Sequence, residues 1–217
     1  MSVSTTEHSD KRSRTRARLL DAAYEVFAGT GLHVATIEQV TERAGFTRGA
    51  FYSNFSSKEE LFFAVVDREN ERGLEALAAG LSRLPDSVLT SVGGPDPAVL
   101  GELIVDVLSC VETGRQWHLV ELEFELLAMR DPQIAGRIGS VKTAFETSLA
   151  AIIDQAVRRF GLEPRMSPLA LSRTLAAVYD STMRRSFLHG DDTAAAAARA
   201  RDELLEVLLA VVPPPTH

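Results

Sequence analysis

Apolar positions recur along this chain with a helical period, and no segment shows the strict alternation of a half-buried strand. The first helix is expected from about Arg14 to Ala28, with Leu20, Ala23 and Phe27 on one face and Gly29 to Gly31 ending it. A short second helix follows Thr36, where Ile37, Val40 and Ala44 fall at i, i+3 and i+7. Thr36 caps it, Gln39 reaches back to the cap backbone, and Gly45 supplies the left-handed exit. Thr47 caps a third helix at once, running to Asn54 and anchored inward by Phe51 and Phe55. Ser57 and Glu60 form a capping box for a fourth helix that continues to about Arg83.

Further along, Pro85 to Pro97 holds three prolines and two glycines and reads as a loop. One helix is expected near 97–113 and another near 115–130. Asp131-Pro132 then opens a helix that Gly161 closes. Ser167-Pro168 opens the next, closed by Gly190, and Asp191 or Asp192 starts the last, which ends before Pro213. The fold class is all-α, with nine helices.

The net charge of −7 opposes a polyanionic partner until it is divided along the chain. Residues 1–60 carry eight Lys/Arg against eight Asp/Glu, and residues 61–217 carry the remaining fifteen against twenty-two. Lys11, Arg12, Arg14, Arg16 and Arg18 cluster at the start of the first helix, where they oppose its dipole. A phosphate backbone would favour them there; a solvated, frayed arm is the alternative. No apolar run approaches the roughly 18 residues of a membrane span, and no apolar segment follows the basic start as in a signal peptide. A single cysteine, Cys110, excludes a disulfide framework and any multi-cysteine zinc site. These absences point to the cytoplasm.

The second and third helices, joined by a turn of about three residues, have the spacing of a helix-turn-helix, whose second helix lies in the major groove. Thr47, Arg48, Gly49, Tyr52 and Ser53 are left facing out, and exposed Thr, Arg and Tyr suit phosphate oxygens and base edges. Gly49 gives up roughly 1 kcal/mol of helix propensity, which suits close backbone approach to a partner. A plain helical corner with a solvated face is the structural alternative.

The run Thr36…Ala44-Gly45-Phe46-Thr47-Arg48-Gly49…Phe51-Tyr52…Phe55-Ser56-Ser57-Lys58-Glu59-Glu60-Leu61 resembles the amino-terminal signature of the TetR family of transcriptional regulators, over about residues 12–63. The resemblance implies a homodimeric repressor that binds a double-stranded DNA operator and takes a small-molecule effector. It implies a helix-turn-helix domain over residues 1–56, with 1–11 a disordered arm, and a helical effector-binding and dimerisation domain over 57–217, whereas composition alone would put the boundary in the 85–97 loop. Carried over by position, Thr36, Thr47, Arg48, Tyr52 and Lys58 contact DNA. Ser53 and Asn54 stand where the family often has histidine and an aromatic residue; each could still bond a phosphate.

The final two helices are the expected dimer interface. Leu204, Leu208 and Val211 form one stripe, Leu205, Leu209 and Val212 a second, and Ala176, Ala177 and Ser181 are small enough for close helix approach. The alternative is that both helices pad the monomer core. The helix over 115–130 is apolar on two sides and therefore central, with His118, Glu121 and Glu125 in a narrow polar strip and Glu123 alone in the opposite gap. In one reading Glu121 or Glu125 pairs with a cationic or donor-rich effector lined by Trp117, Phe124, Phe145, Tyr179, Met183 and Phe187. In the other, the acids pair with Arg115, Arg130 or Arg137 and the aromatics are core. One imidazole and one carboxylate are too few ligands for a metal. No cofactor is implied. Nothing supports an enzyme: there is no phosphate loop or nucleophile elbow, and Cys110, among apolar neighbours in Val107-Leu-Ser-Cys-Val111, reads as core. The rival regulator answers to a protein partner or acts as an activator.

Overall fold

The computed structural model describes residues 3–83, 114–159 and 163–211, with side chains from residue 11 onward. Among these it contains eight helices and no strand: α1 (Val3–Thr30), α2 (Ile37–Ala44), α3 (Arg48–Tyr52), α4 (Lys58–Arg83), α5 (Arg115–Arg130), α6 (Pro132–Arg159), α7 (Pro168–Leu188) and α8 (Thr193–Val211). The helix expected near 97–113, Cys110, Gly161 and Val212 lie outside the described residues. The first helix starts well before Arg14, at Val3.

The chain packs as two compact units. One comprises the described residues of Met1–Glu69 and Gln116–Ala135, the other those of Asn70–Arg115 and Gly136–His217. In the first, Leu19, Ala23 and Phe27 of α1 are buried, along with Val40 and Ala44 of α2, Phe51 of α3 and Leu61, Phe62 and Val65 of α4. Phe27 meets Phe62 edge-on with centroids 5.3 Å apart, and Phe124 of α5 lies 5.8 Å from Phe62 and 5.6 Å from Phe63. Such pairs each add about 0.5–1.5 kcal/mol beyond area burial, so α5 belongs to this unit's core.

In the second unit α7 and α8 form an antiparallel pair. Ser167 accepts the Ala170 N–H at 3.3 Å with Pro168 at the first helical position, and Asp192 accepts the Ala195 N–H at 2.8 Å. Ala196 and Ala200, one turn apart on α8, let the helices close around Met183, with Tyr179 and Phe187 packed against the cluster. Glu203 of α8 accepts from both Thr182 and Arg185 of α7. Arg173 pairs with Glu146 of α6 at 2.7 Å, and Arg159 of α6 donates to the Leu81 carbonyl of α4 at 2.8 Å.

Candidate nucleic-acid interface

Local chemistry places α2 and α3. Thr36 Oγ1 accepts the Gln39 N–H at 3.2 Å while the Gln39 side chain accepts the Thr36 N–H at 2.8 Å, so both halves of the capping box are made. Gly45 sits at φ 70°, in the left-handed region that favours glycine, and its N–H returns to the carbonyls of α2. Thr47 then accepts the Ala50 N–H at 3.3 Å, opening α3. Five residues cannot hold a helix by themselves; Phe51, with no exposed surface, pins α3 to the core beside Phe55.

That anchoring leaves Thr47, Arg48, Gly49, Tyr52 and Ser53 exposed, with Thr36 exposed at the head of α2. Arg48 Nη1 lies 2.6 Å from Glu38 Oε1, and Arg48 Nη2 donates to the Tyr52 hydroxyl at 3.4 Å. The Tyr52 hydroxyl, then the Glu38 carboxylate, hold the guanidinium above its ordinary value, and it stays charged. A methyl group at Gly49 would meet only Thr47 Oγ1, at an ordinary 3.7 Å. Among the described residues nothing therefore requires glycine there.

Three expected DNA contacts have other work in this arrangement. Ser53 donates its hydroxyl to the Ala50 carbonyl at 2.9 Å, and Asn54 donates its amide to the same carbonyl at 2.8 Å and to Ser53 Oγ at 3.2 Å. Both side chains thus close the end of α3 and spend their donors locally, where phosphate oxygens would need them. Lys58 donates to the carbonyls of Leu32, His33 and Ala35 at 2.7, 3.4 and 2.8 Å, bracing the α1–α2 turn. The capping box expected of Ser57 and Glu60 is half made: Ser57 accepts the Glu60 N–H at 3.1 Å, but the Glu60 carboxylate takes the Ser56 N–H at 2.7 Å.

The basic cluster of α1 supplies a role that sequence reasoning missed. Arg18 donates to the Ala44 carbonyl at 2.8 Å, Arg12 to that of Ser53 at 3.2 Å and Arg16 to that of Asn54 at 3.3 Å. These are the carbonyl ends of α2 and α3, where positive charge is favourable. Arg16 also lies over the Phe55 ring and Arg18 over Phe46, at 4.3 and 4.7 Å. Arginines of α1 thus hold the carbonyl ends of α2 and α3.

The candidate effector residues divide between the units. Trp117 and Phe124 are buried in the first, on the face of α5 that carries Val120, so they serve as core there. His118 is buried with Nδ1 3.6 Å from the Glu121 carboxylate, and Glu125 is half-buried. Glu123 lies against the α1–α2 turn: a methyl group on Gly31, at φ 76°, would sit 2.9 Å from its carboxylate. In the second unit Phe145 is half-buried, and Met183 is fully buried with Tyr179 and Phe187 around it, a core position of the α7–α8 pair. Of the candidate dimer residues, Leu204 is buried within the chain. Ala177, Ser181 and Leu209 are exposed, while Ala176, Leu205, Leu208 and Val211 are half-buried. An open groove runs here, lined by Arg173, Thr174, Ala177, Val178, Ser181 and Glu203.

An all-helical chain whose outward α3 is capped, anchored and braced in this way is a helix-turn-helix DNA-binding regulator. Comparison with known proteins agrees. Residues 19–65 match the family model described as bacterial regulatory proteins, tetR family. The chain is 29% identical over 180 residues to the HTH-type transcriptional activator FasR of Mycolicibacterium smegmatis, covering 83% of this chain and 75% of that protein. Its fold is similar to a TetR-family regulator from Mesorhizobium loti, with a TM-score of 0.68 at 17% identity over 92% of this chain and 96% of the other. It is similar also to a transcriptional regulator from Saccharomonospora viridis solved in complex with choline, with a TM-score of 0.66 at 18% identity over 94% and 100% of the two chains. The family model, the curated relatives and the solved structures all support a TetR-family transcriptional regulator. Among the described residues no helix is long and apolar enough to cross a membrane.

Proposed function

We propose that this regulator binds a two-fold symmetric DNA operator as a homodimer, with α3 of each subunit in the major groove, and that a small molecule releases it. The observation that carries the reading is the outward set Thr47, Arg48, Gly49 and Tyr52 on a helix whose other side, Phe51, is wholly buried. Thr36, at the head of α2, adds a backbone-phosphate contact. Residues 1–56 form the reading domain and residues 57–217 the effector and dimerisation domain, with α4 passing from one to the other. The exposed Ala177, Ser181 and Leu209 supply small and apolar surface for a partner subunit.

The effector acts through α5, whose core side packs on α4 and whose polar strip carries His118, Glu121 and Glu125. Those carboxylates favour a cationic ligand, and the choline complex of the S. viridis protein makes quaternary amines the class to try first. Coupling of about 1–3 kcal/mol would lower DNA affinity roughly 5- to 150-fold. Where the operator overlaps a promoter, the outcome is repression. Activation is the second reading, favoured by the similarity to FasR, an activator.

Footprinting the purified protein across its own genome tests the proposal. The expected result is protected palindromes whose half-sites are spaced by whole turns of about 10–10.5 base pairs. Protection without two-fold symmetry would overturn the dimeric reading, and no protection anywhere would overturn DNA binding itself. Gly49→Ala separates the reading face from the fold. It is expected to stabilise the protein by up to about 1 kcal/mol in thermal melts, since among the described residues the methyl meets only Thr47 Oγ1 at an ordinary contact distance. In fluorescence anisotropy the same variant binds the footprinted duplex more weakly.

A further inference from the structure

Arg48 is the only charged side chain on α3, and it is tied at both ends of its guanidinium fork. Glu38, on the first turn of α2, takes one terminal nitrogen at 2.6 Å, and the Tyr52 hydroxyl takes the other at 3.4 Å. The guanidinium carbon sits 5.9 Å from the Tyr52 ring centre. Yet the arginine side chain remains 60% exposed and that of Glu38 56%. A guanidinium has five N–H donors, so two such contacts orient the fork while leaving it open to solvent. It is held in place without being hidden.

We propose that Glu38 is a specificity-determining residue, orienting Arg48 toward base edges and setting a carboxylate against indiscriminate phosphate binding. The inference rests on α3 being the reading helix. An untethered arginine on a DNA-facing helix falls to the nearest phosphate, a contact that carries no sequence information. Glu38 opposes this in two ways. It fixes the direction of the fork, so less side-chain freedom is lost when a base is met. It also cancels the charge of Arg48 within the surface that approaches the polyanion, so non-operator duplex gains little from that arginine. Glu38 does support the N-terminus of α2 through the helix dipole, but that role alone would change all duplex affinities together.

The test compares two probes: a duplex recovered by the wild-type protein from a random-sequence library, and a scrambled duplex of the same length. Glu38→Gln is expected to tighten binding to the scrambled duplex on the order of five- to tenfold near 0.1 M salt. The slope of log affinity against log salt should steepen by about 0.9 per subunit, as for one added phosphate contact. The selected duplex gains less, so selectivity narrows. Glu38→Asp, which keeps the charge on a shorter stem, retains the wild-type salt slope while still losing selectivity. Equal changes on both probes with an unaltered slope would overturn the proposal. Arg48→Ala in the same assay separates the two readings. If it abolishes selectivity while Glu38→Gln does not alter it, α3 reads DNA and Glu38 has no part. If Arg48→Ala leaves selectivity intact, the reading helix is misassigned and the role of Glu38 falls with it.

Discussion

Arg48→Ala is expected to lower affinity for the selected duplex by roughly 25-fold to 2 × 10⁴-fold while the melting curve hardly moves. A well-placed bidentate arginine–base contact discriminates by a factor of about 5 to 150, and a two-fold assembly loses it twice. The fold loses little, because the contacts of the side chain with Glu38 and Tyr52 are solvent-exposed, and exposed pairs contribute little to stability. A shift of the thermal midpoint beyond about two degrees would mean that the arginine also supports the fold. Tyr52→Phe refines the result. It keeps the edge-on packing against Phe51, 5.2 Å between centroids, and removes only the hydroxyl that receives Arg48. Binding should therefore fall by less than for Arg48→Ala. A loss as large as that of Arg48→Ala would assign the main DNA contact to the tyrosine hydroxyl.

The parts of this site that are legible in the sequence are those specified within a few residues. Thr36 with Gln39, Gly45, and Thr47 with Ala50 are all local arrangements of cap and turn, and each forms as the residue types require. The apolar period likewise foretells that Phe51 and Phe55 turn inward. What the sequence hides are long side chains meeting partners distant along the chain. The resemblance carries Lys58 over as a DNA contact, and its bonds to carbonyls 23 to 26 residues earlier have no local signature. Arg12, Arg16 and Arg18 look misplaced on the dipole of α1, and only tertiary packing brings them to the carbonyl ends of α2 and α3. The pairing of Glu38 with Arg48 crosses the turn and has no local signature. Amphipathic helices are ambiguous in another way. An apolar stripe does not say which partner covers it, so Leu204 and Met183 suit an interface or a pocket equally well until α8 is seen packed on α7.

Phe51→Ala should abolish DNA binding by the opposite route, through the fold. The ring has no exposed surface and touches Tyr52 and Phe55, so truncation removes about 3–5 kcal/mol of burial and packing. At about 2–4 °C per kcal/mol for a chain of this size, the thermal midpoint falls by roughly 6–20 °C. The loss falls on α3, which has five residues and no means of persisting without that anchor. Two compact units also allow the unit carrying α3 to melt first, as a separate early transition in calorimetry. Phe51→Leu, which keeps most of the apolar volume, should recover the greater part of both stability and binding. If Phe51→Ala instead melted like the wild type yet failed to bind, the ring would have to be a contact surface for DNA, and the orientation of α3 would be the reverse of the one on which Arg48, Tyr52 and Glu38 depend.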